Sequence, residues 1–192
     1  MGLTIHYSGK LRNRECIPAL IAESIDISES LHWPYQVIER LPDVPVEGIL
    51  IAPEDSEPLW LTFHEAGFMC NPVLYSYVRE VEGKGIPEDA EQWLFTKTQY
   101  AGVEAHIAMI KFIRYLSEKY FERFELHDES LYWETNDEAQ CRDIFAKYNH
   151  MMNEVGDALD SLEIDPNASR ETVIDMIEKM LEEKFGMKRS TD

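Results

Sequence analysis

The sequence predicts an α+β protein, with a mixed sheet built from two strand–helix–strand (βαβ) crossover units that flank an antiparallel meander, and with a C-terminal helical hairpin. Three observations predict this fold. Two segments run from a β-branched or aromatic stretch into an amphipathic helix and on to a second strand, short alternating stretches lie between them, and apolar residues recur every three or four positions near the end. We expect residues 1–134 to form the sheet domain, with the hairpin of residues 135–192 packed on it as one structural unit.

The first crossover unit is predicted over residues 3–39. Residues 3–7 form a strand, Ser8 and Gly9 a turn, residues 15–31 a helix and residues 35–39 a second strand. Pro18 places the helix start nearby, because proline is tolerated only in the first turn of a helix.

The meander is predicted as four short strands, at residues 48–52, 59–63, 68–71 and 75–82. In the second of them, Leu59, Leu61 and Phe63 alternate with Trp60 and Thr62, which is the period of a strand with one covered face. Residues 53–56 and 64–67 are predicted to be the turns.

The second crossover unit is predicted from a strand at residues 93–99, a turn ending at Gly102, a helix at residues 103–121 and a strand at residues 124–127. Such a unit predicts parallel strands joined by a right-handed crossover. A tyrosine precedes the turn in both units, at Tyr7 and Tyr100, which leaves two readings open. Either the units are an internal duplication, or every βαβ unit shares this pattern.

The last third of the chain is predicted to be two helices. Thr135 and Glu138 have the spacing of a capping box before a helix that extends to residue 162. Ser169 is predicted to begin the final helix and Gly186 to end it. The methionines in these helices suit a hydrophobic core, a partner-binding groove, or a homodimer formed through the C-terminal helices.

The net charge of −19 favours a protein partner over a nucleic acid or a membrane. Phosphate backbones and anionic lipids would repel such a chain, whereas a basic protein would be attracted to it. Solubility alone is the other reading of the same charge.

The cysteines predict a cytoplasmic protein. Cys16, Cys70 and Cys141 are few, scattered and without CxxC spacing, which indicates reduced thiols. The first residues show no signal-peptide pattern, and no apolar stretch approaches the length of a membrane span.

One candidate ligand-binding site is predicted where the second crossover places strand ends beside a helix N-terminus. His106 lies on the apolar face of that helix, where an α/β site is common. The predicted site comprises Thr98, Gln99, Tyr100, His106, His127, Asp128 and Glu129. The alternatives are a hydrogen-bonded core histidine and a solvated acidic turn. Two histidines with carboxylates suit a divalent metal, but no compact ligand spacing supports one, so no metal site and no cofactor are predicted.

No catalytic residue is predicted, because the chain lacks GxSxG, GxGxxG and P-loop patterns. The leading hypothesis is an interaction or regulatory protein, inhibitor- or immunity-like, that binds a basic partner. The alternative is a small-ligand-binding protein or enzyme with a site around Gln99, His106 and Asp128.

The stretches TKTQYAGVEAHIAMIKFIRYLSEKYF, DESLYWETNDE, LTIHYSGKL and EPLWLTF resemble segments of a group of uncharacterised bacterial α+β proteins. The resemblance covers most of residues 3–140. It implies a bacterial cytosolic origin and a shared α+β fold, and it implies no activity.

Overall fold

A computed structural model describes residues 3–41, 43–82, 92–162 and 168–186. The strands are β1 (Thr4–Leu11), β2 (Tyr35–Ile38), β3 (Val46–Ile51), β4 (Leu59–His64), β5 (Leu94–Lys97) and β6 (Phe121–Asp128). The helices are α1 (Ile17–Ser30), α2 (Pro72–Glu82), α3 (Gly102–Tyr120), α4 (Tyr132–Thr135), α5 (Glu138–Asp160) and α6 (Arg170–Phe185), and a 3₁₀ turn (Arg14–Cys16) precedes α1. The predicted α+β class is confirmed.

The chain divides into two compact units, residues 1–145 and residues 146–192. Unit 1 contains all the described strands and the first turns of α5. Unit 2 contains the rest of α5 and all of α6, with Ala158 and Met180 buried. The predicted boundary at residue 134 lies just before α5, which passes from one unit into the other.

Unit 1 contains two three-stranded antiparallel sheets. Sheet A has the order β5-β1-β6 and sheet B the order β2-β3-β4. Tyr7 joins them, because its hydroxyl accepts a hydrogen bond from the backbone N–H of Trp60 at 3.0 Å. Complete burial raises the pKa of Tyr7 to about 12, so this hydroxyl stays protonated.

The two predicted crossovers do not form one mixed sheet. In the second unit, β5 and β6 run in the same direction, but β1 lies between them and pairs antiparallel with both. In the first unit, β1 and β2 belong to different sheets. The local pattern predicted the elements correctly, whereas long-range pairing decided which strands became neighbours.

Half of the predicted meander is correct. β3 and β4 pair as expected, but residues 68–71 form only isolated bridges, and the predicted strand at residues 75–82 is part of α2. Asn71 starts this helix, since its side-chain Oδ1 accepts from the backbone N–H groups of Val73 and Leu74. Pro72 then occupies the first helical position, where its missing N–H costs nothing.

The proposed duplication fails at its turn. Ser8 and Gly9 lie inside β1, whereas Gly102 begins α3 with a φ of +84°. Only Gly102 therefore lies in a turn between a strand and a helix, which a duplication would require of both glycines.

The helix boundaries match the sequence in most places. Pro18 lies in the first turn of α1, Ser169 Oγ accepts from Thr172 N, and Gly186 ends α6 in the left-handed conformation. The capping box at Thr135 is wrong. Asp137 begins α5 instead, because its Oδ1 accepts from two backbone N–H groups of the first turn, and Thr135 is the last residue of α4.

Arg12 fixes the end of α3 against β1. Its backbone N–H donates to the carbonyl of Tyr120, and its guanidinium donates to the carbonyls of Glu118 and Phe121 at 2.9 and 2.8 Å. A cation placed on the last carbonyls of a helix also complements the helix dipole. The chain therefore leaves α3 directly into β6.

Candidate functional site

Five polar side chains form a buried hydrogen-bonded network in unit 1. They come from five places in the chain: Thr98 after β5, His106 in α3, Asp128 at the end of β6, Ser130 in the following turn and Cys141 in α5. All five residues are completely buried, with 0% exposure. We call these residues the His106 network.

His106 lies at the centre of the network. Its Nδ1 lies 2.6 Å from Thr98 Oγ1, and its Nε2 lies 2.8 Å from Ser130 Oγ and 3.2 Å from Asp128 Oδ1. Since the Ser130 hydroxyl donates to Asp128, its oxygen accepts from a protonated Nε2. In the neutral ring, Nδ1 then accepts from the Thr98 hydroxyl. The ring of Phe145 packs edge-on against the imidazole, with 5.1 Å between the centroids.

Asp128 accepts hydrogen bonds on both carboxylate oxygens. Oδ1 accepts from the backbone N–H of Ser130, and Oδ2 accepts from the Ser130 hydroxyl and from the N–H groups of Tyr132 and Trp133. The last two are first-turn amides of α4, which have no partner within the helix. Leu131 reaches this geometry in the left-handed conformation, with a φ of +61°.

The hydrogen bonds of Asp128 determine its ionisation. Burial raises the pKa of this carboxyl, but the hydrogen bond and charge interaction with His106 and the bonds from Ser130 outweigh burial and hold the pKa below 3.8. Asp128 is therefore an ionised, fully enclosed hydrogen-bond acceptor.

This lowered pKa predicts a loss of stability in acid. The unfolded chain takes up a proton on Asp128 at higher pH than the folded protein, so the contribution of Asp128 is complete above about pH 5 and decreases as the pH falls through the folded pKa. We expect the difference in free energy of unfolding between wild type and Asp128→Asn to shrink as the pH falls below about 5. Urea unfolding at a series of pH values measures it. A difference that stays constant over this range would contradict the assignment.

The structure brings together only part of the predicted site. Thr98, His106 and Asp128 are in contact, and Gln99 is buried beside Thr98. Tyr100 is 74% exposed and lies outside the network.

His127 and Glu129 do not join His106 either. Consecutive residues of a strand face opposite sides, so His127 and Glu129 are exposed while Asp128 points inward. His127 stacks on His6 of β1, at 6.4 Å between the ring centroids, and Glu129 Oε2 accepts from the backbone N–H of Thr4. The histidine–carboxylate metal set considered from the sequence is therefore separated by the sheet. In the part of the chain that the structure describes, no three metal-ligating side chains come together.

Sequence reasoning missed Ser130 and Cys141. The signal for Ser130 was its position two residues after Asp128, the spacing at which an aspartate side chain accepts from a following backbone N–H. Cys141 lies in α5, and its contact with Ser130 Oγ at 3.5 Å had no sequence signal. Burial raises the pKa of the Cys141 thiol, which makes it a poor nucleophile.

The His106 network is built to stabilise rather than to react. Its side chains are enclosed and bonded to one another, so a substrate could reach His106 only if the core opened. The reading of His106 as a hydrogen-bonded core histidine accounts for this geometry. The network joins four consecutive segments of the chain, β5, α3, β6 and the turn before α4.

The surface of unit 1 has a different character, because its cations are already occupied. Every lysine and arginine side chain described between residues 3 and 145 has an ionic, hydrogen-bonding or ring partner. Most of these partners are carboxylates, as in the pairs Arg14–Glu47 and Lys111–Glu138. Acidic residues outnumber basic ones by 37 to 18 in the whole chain, so many carboxylates have no cation beside them.

No known protein family, curated protein or solved structure matches the chain. The resemblance to bacterial α+β proteins therefore stays a prediction. Within the described residues, no helix combines the length and the apolar character needed to cross a bilayer.

Proposed function

We propose that this protein is an interaction or regulatory protein, of the inhibitor or immunity type, that binds a basic protein partner through its acidic surface. The observation that carries the proposal is the occupation of the described cations of unit 1 by internal partners. The excess of carboxylates makes a negative field around the protein. Such a field attracts a basic partner and increases its rate of association.

The enclosed His106 network supports this choice over the alternative of an enzyme or small-ligand binder. A ligand site around Gln99, His106 and Asp128 needs an opening to solvent, yet these residues are exposed by 5%, 0% and 0%. The three cysteines are free, which suits a reducing cytoplasm as the place of the encounter. A homodimer through the C-terminal helices stays a separate prediction, which the mass in solution tests.

Native mass spectrometry of the protein purified from an extract of its own cells tests the proposed function. We expect a co-purifying protein of high isoelectric point that is retained at low salt and released as the salt rises, because exposed charges are screened beyond about 10 Å at 0.1 M ionic strength. A variant in which Glu29, Glu39 and Glu54 become glutamine and Asp55 becomes asparagine should retain less of this basic protein. A partner that stays bound irrespective of salt and charge, or no basic protein at all, would contradict the proposal.

A further inference from the structure

The strand β2 forms one edge of sheet B, and its backbone has an unused side. The carbonyl of Pro34 accepts from Ala52 N, so the residues of β2 that bond to β3 are the even-numbered ones, including Gln36. The N–H and C=O groups of Tyr35 and Val37 therefore point away from β3. Among the described residues, no strand pairs with this side of β2.

The other sheet edges are covered or charged. Along β4, Thr62 O accepts from Cys70 N, and along β5, Lys97 O accepts from Glu57 N. The outer edge strand β6 carries several charges: Glu122, Arg123 and Glu125. Charged side chains and covering segments are the usual protections of an edge strand against pairing with another chain. The sequence of β2, Tyr-Gln-Val-Ile, has neither protection.

Exposed apolar side chains lie in β2 and close to it in the sequence. Leu31, Tyr35, Val37 and Leu41 are exposed by 40%, 38%, 40% and 57%. They lie within one short stretch of chain that contains β2. An added strand would use the backbone of β2 for affinity and these side chains for selection.

The charges around β2 favour a basic occupant. Glu29 accepts from the Tyr35 hydroxyl at 3.0 Å, Glu39 directly follows β2, and Glu54 and Asp55 follow Ala52, the residue that bonds to Pro34. No lysine or arginine of the described residues forms an ion pair with any of these four carboxylates. The nearby Arg40 is paired with Glu65. A second copy of this chain would bring the same carboxylates against each other, which is unfavourable.

We propose that β2 is a docking edge that accepts a basic, extended segment of a partner protein as an additional strand of sheet B. The proposal rests on the proposed function, because it places the partner's binding at one edge. Main-chain hydrogen bonds from Tyr35 and Val37 hold the segment, Leu31, Tyr35, Val37 and Leu41 contact its apolar side chains, and the carboxylates pair with its lysines or arginines.

The test uses a short synthetic peptide of alternating lysine and valine, with a glutamate–valine peptide as its control. In amide exchange followed by NMR, the lysine peptide should slow exchange of the Tyr35 and Val37 N–H groups, while the glutamate peptide leaves them unchanged. Val37→Pro removes an outward N–H without touching the bonds to β3, so we expect a loss of affinity of about tenfold or more. Val37→Thr keeps the N–H and loses only an apolar contact, so we expect it to lose clearly less affinity than Val37→Pro does.

A second variant protects the test if Val37→Pro fails to fold. The triple change Glu39→Gln, Glu54→Gln and Asp55→Asn should weaken binding of the lysine peptide. The control removes the same number of charges elsewhere: Glu118→Gln, Glu125→Gln and Glu134→Gln. Equal weakening by the two triple variants would overturn the placement of the site at β2.

The remaining outcomes separate this inference from the proposed function. A lysine peptide that binds without protecting Tyr35 and Val37, or that binds a folded Val37→Pro equally well, overturns the docking edge. A dimer of the free protein that Val37→Pro dissociates assigns the edge to a second copy and overturns the basic occupant. If a basic protein from the extract is retained equally by folded Val37→Pro, the proposed function stands and the edge falls. If the lysine peptide slows amide exchange of Tyr35 and Val37 but no basic protein is retained from the extract, the docking edge is supported and the proposed function is contradicted.

Discussion

The Gly48→Ala variant is expected to lose about 3–5 kcal/mol of its free energy of unfolding, from backbone strain and collision together. Gly48 lies in β3 with a φ of +150°, a conformation that residues with a side chain rarely adopt. A Cβ at this position would lie 2.1 Å from the carbonyl oxygen of Leu61 and 2.7 Å from Thr62 Cα, both backbone atoms of β4. Since β4 cannot rotate out of the way as a side chain can, the β3–β4 pairing must separate.

Thermal unfolding measures this loss, as a decrease in Tm of about 10 °C. Gly102→Ala is the matched control. Gly102 also has a positive φ, +84°, but nothing lies within 4 Å of an added Cβ, so only the backbone strain applies. We expect this variant to lose about 1–2 kcal/mol. Equal losses in the two variants would mean that the close approach of β3 and β4 at Gly48 is incorrect.

The Asp128→Ala variant is expected to lose about 3–5 kcal/mol, the cost of removing one member of a buried, hydrogen-bonded charge network. Without the carboxylate, the N–H groups of Ser130 and Trp133 lose their acceptor, and that of Tyr132 keeps only the longer bond to Ser130 Oγ at 3.3 Å. His106 also loses its contact with the carboxylate. Buried donors that lose their partner bear the full cost of desolvation. Urea unfolding monitored by tryptophan fluorescence measures the difference.

Glu125→Ala, on the same strand but exposed, should change the stability by less than about 0.5 kcal/mol. The double variant His106→Ala/Asp128→Ala should lose much less free energy of unfolding than the two single variants lose in sum, because both residues belong to the same network. Additive losses would show that His106 and Asp128 stabilise the protein independently, which contradicts the geometry.

Local chemistry made most of the elements predictable. α1 and α3 begin and end within two residues of the predicted positions, because Pro18 and Gly102 have fixed roles at helix starts. α2 could not be separated from a strand by its apolar content, since Tyr75 and Tyr77 suit both. The decisive signal was Asn71 followed by Pro72, which is a helix start.

Strand pairing could not be predicted, because nothing in a strand's own sequence says which strand lies beside it. The two strands of each predicted βαβ unit were expected to be neighbours in one sheet, because this is the commonest arrangement. Here β1 lies between β5 and β6, and the hydroxyl of Tyr7 in β1 lies 3.5 Å from Thr96 Oγ1 in β5.

The sequence could predict which side chains of the candidate site lie close together, but not that these side chains are buried. The expectation that Asp128 approaches His106 was confirmed, since the ends of β5 and β6 lie at the same edge of sheet A, on either side of β1. Enclosure of the two side chains depends on Phe145 and Cys141, contributed by a helix whose position no local pattern reveals. His127 was included wrongly, although the alternation of a strand already separates it from Asp128.

The central position of β1 also sets an order of events for a chain that grows from its first residue. Thr4–Leu11 is made before both of its partners in sheet A, Leu94–Lys97 and Phe121–Asp128, which emerge much later. Sheet B, by contrast, uses only residues between Tyr35 and His64, so its pairings are local and close quickly. During synthesis the backbone groups on both sides of β1 therefore stay unpaired until β5 and β6 have been made. The His106 network can form only after Ser130 and the helix that carries Cys141 have emerged from the ribosome.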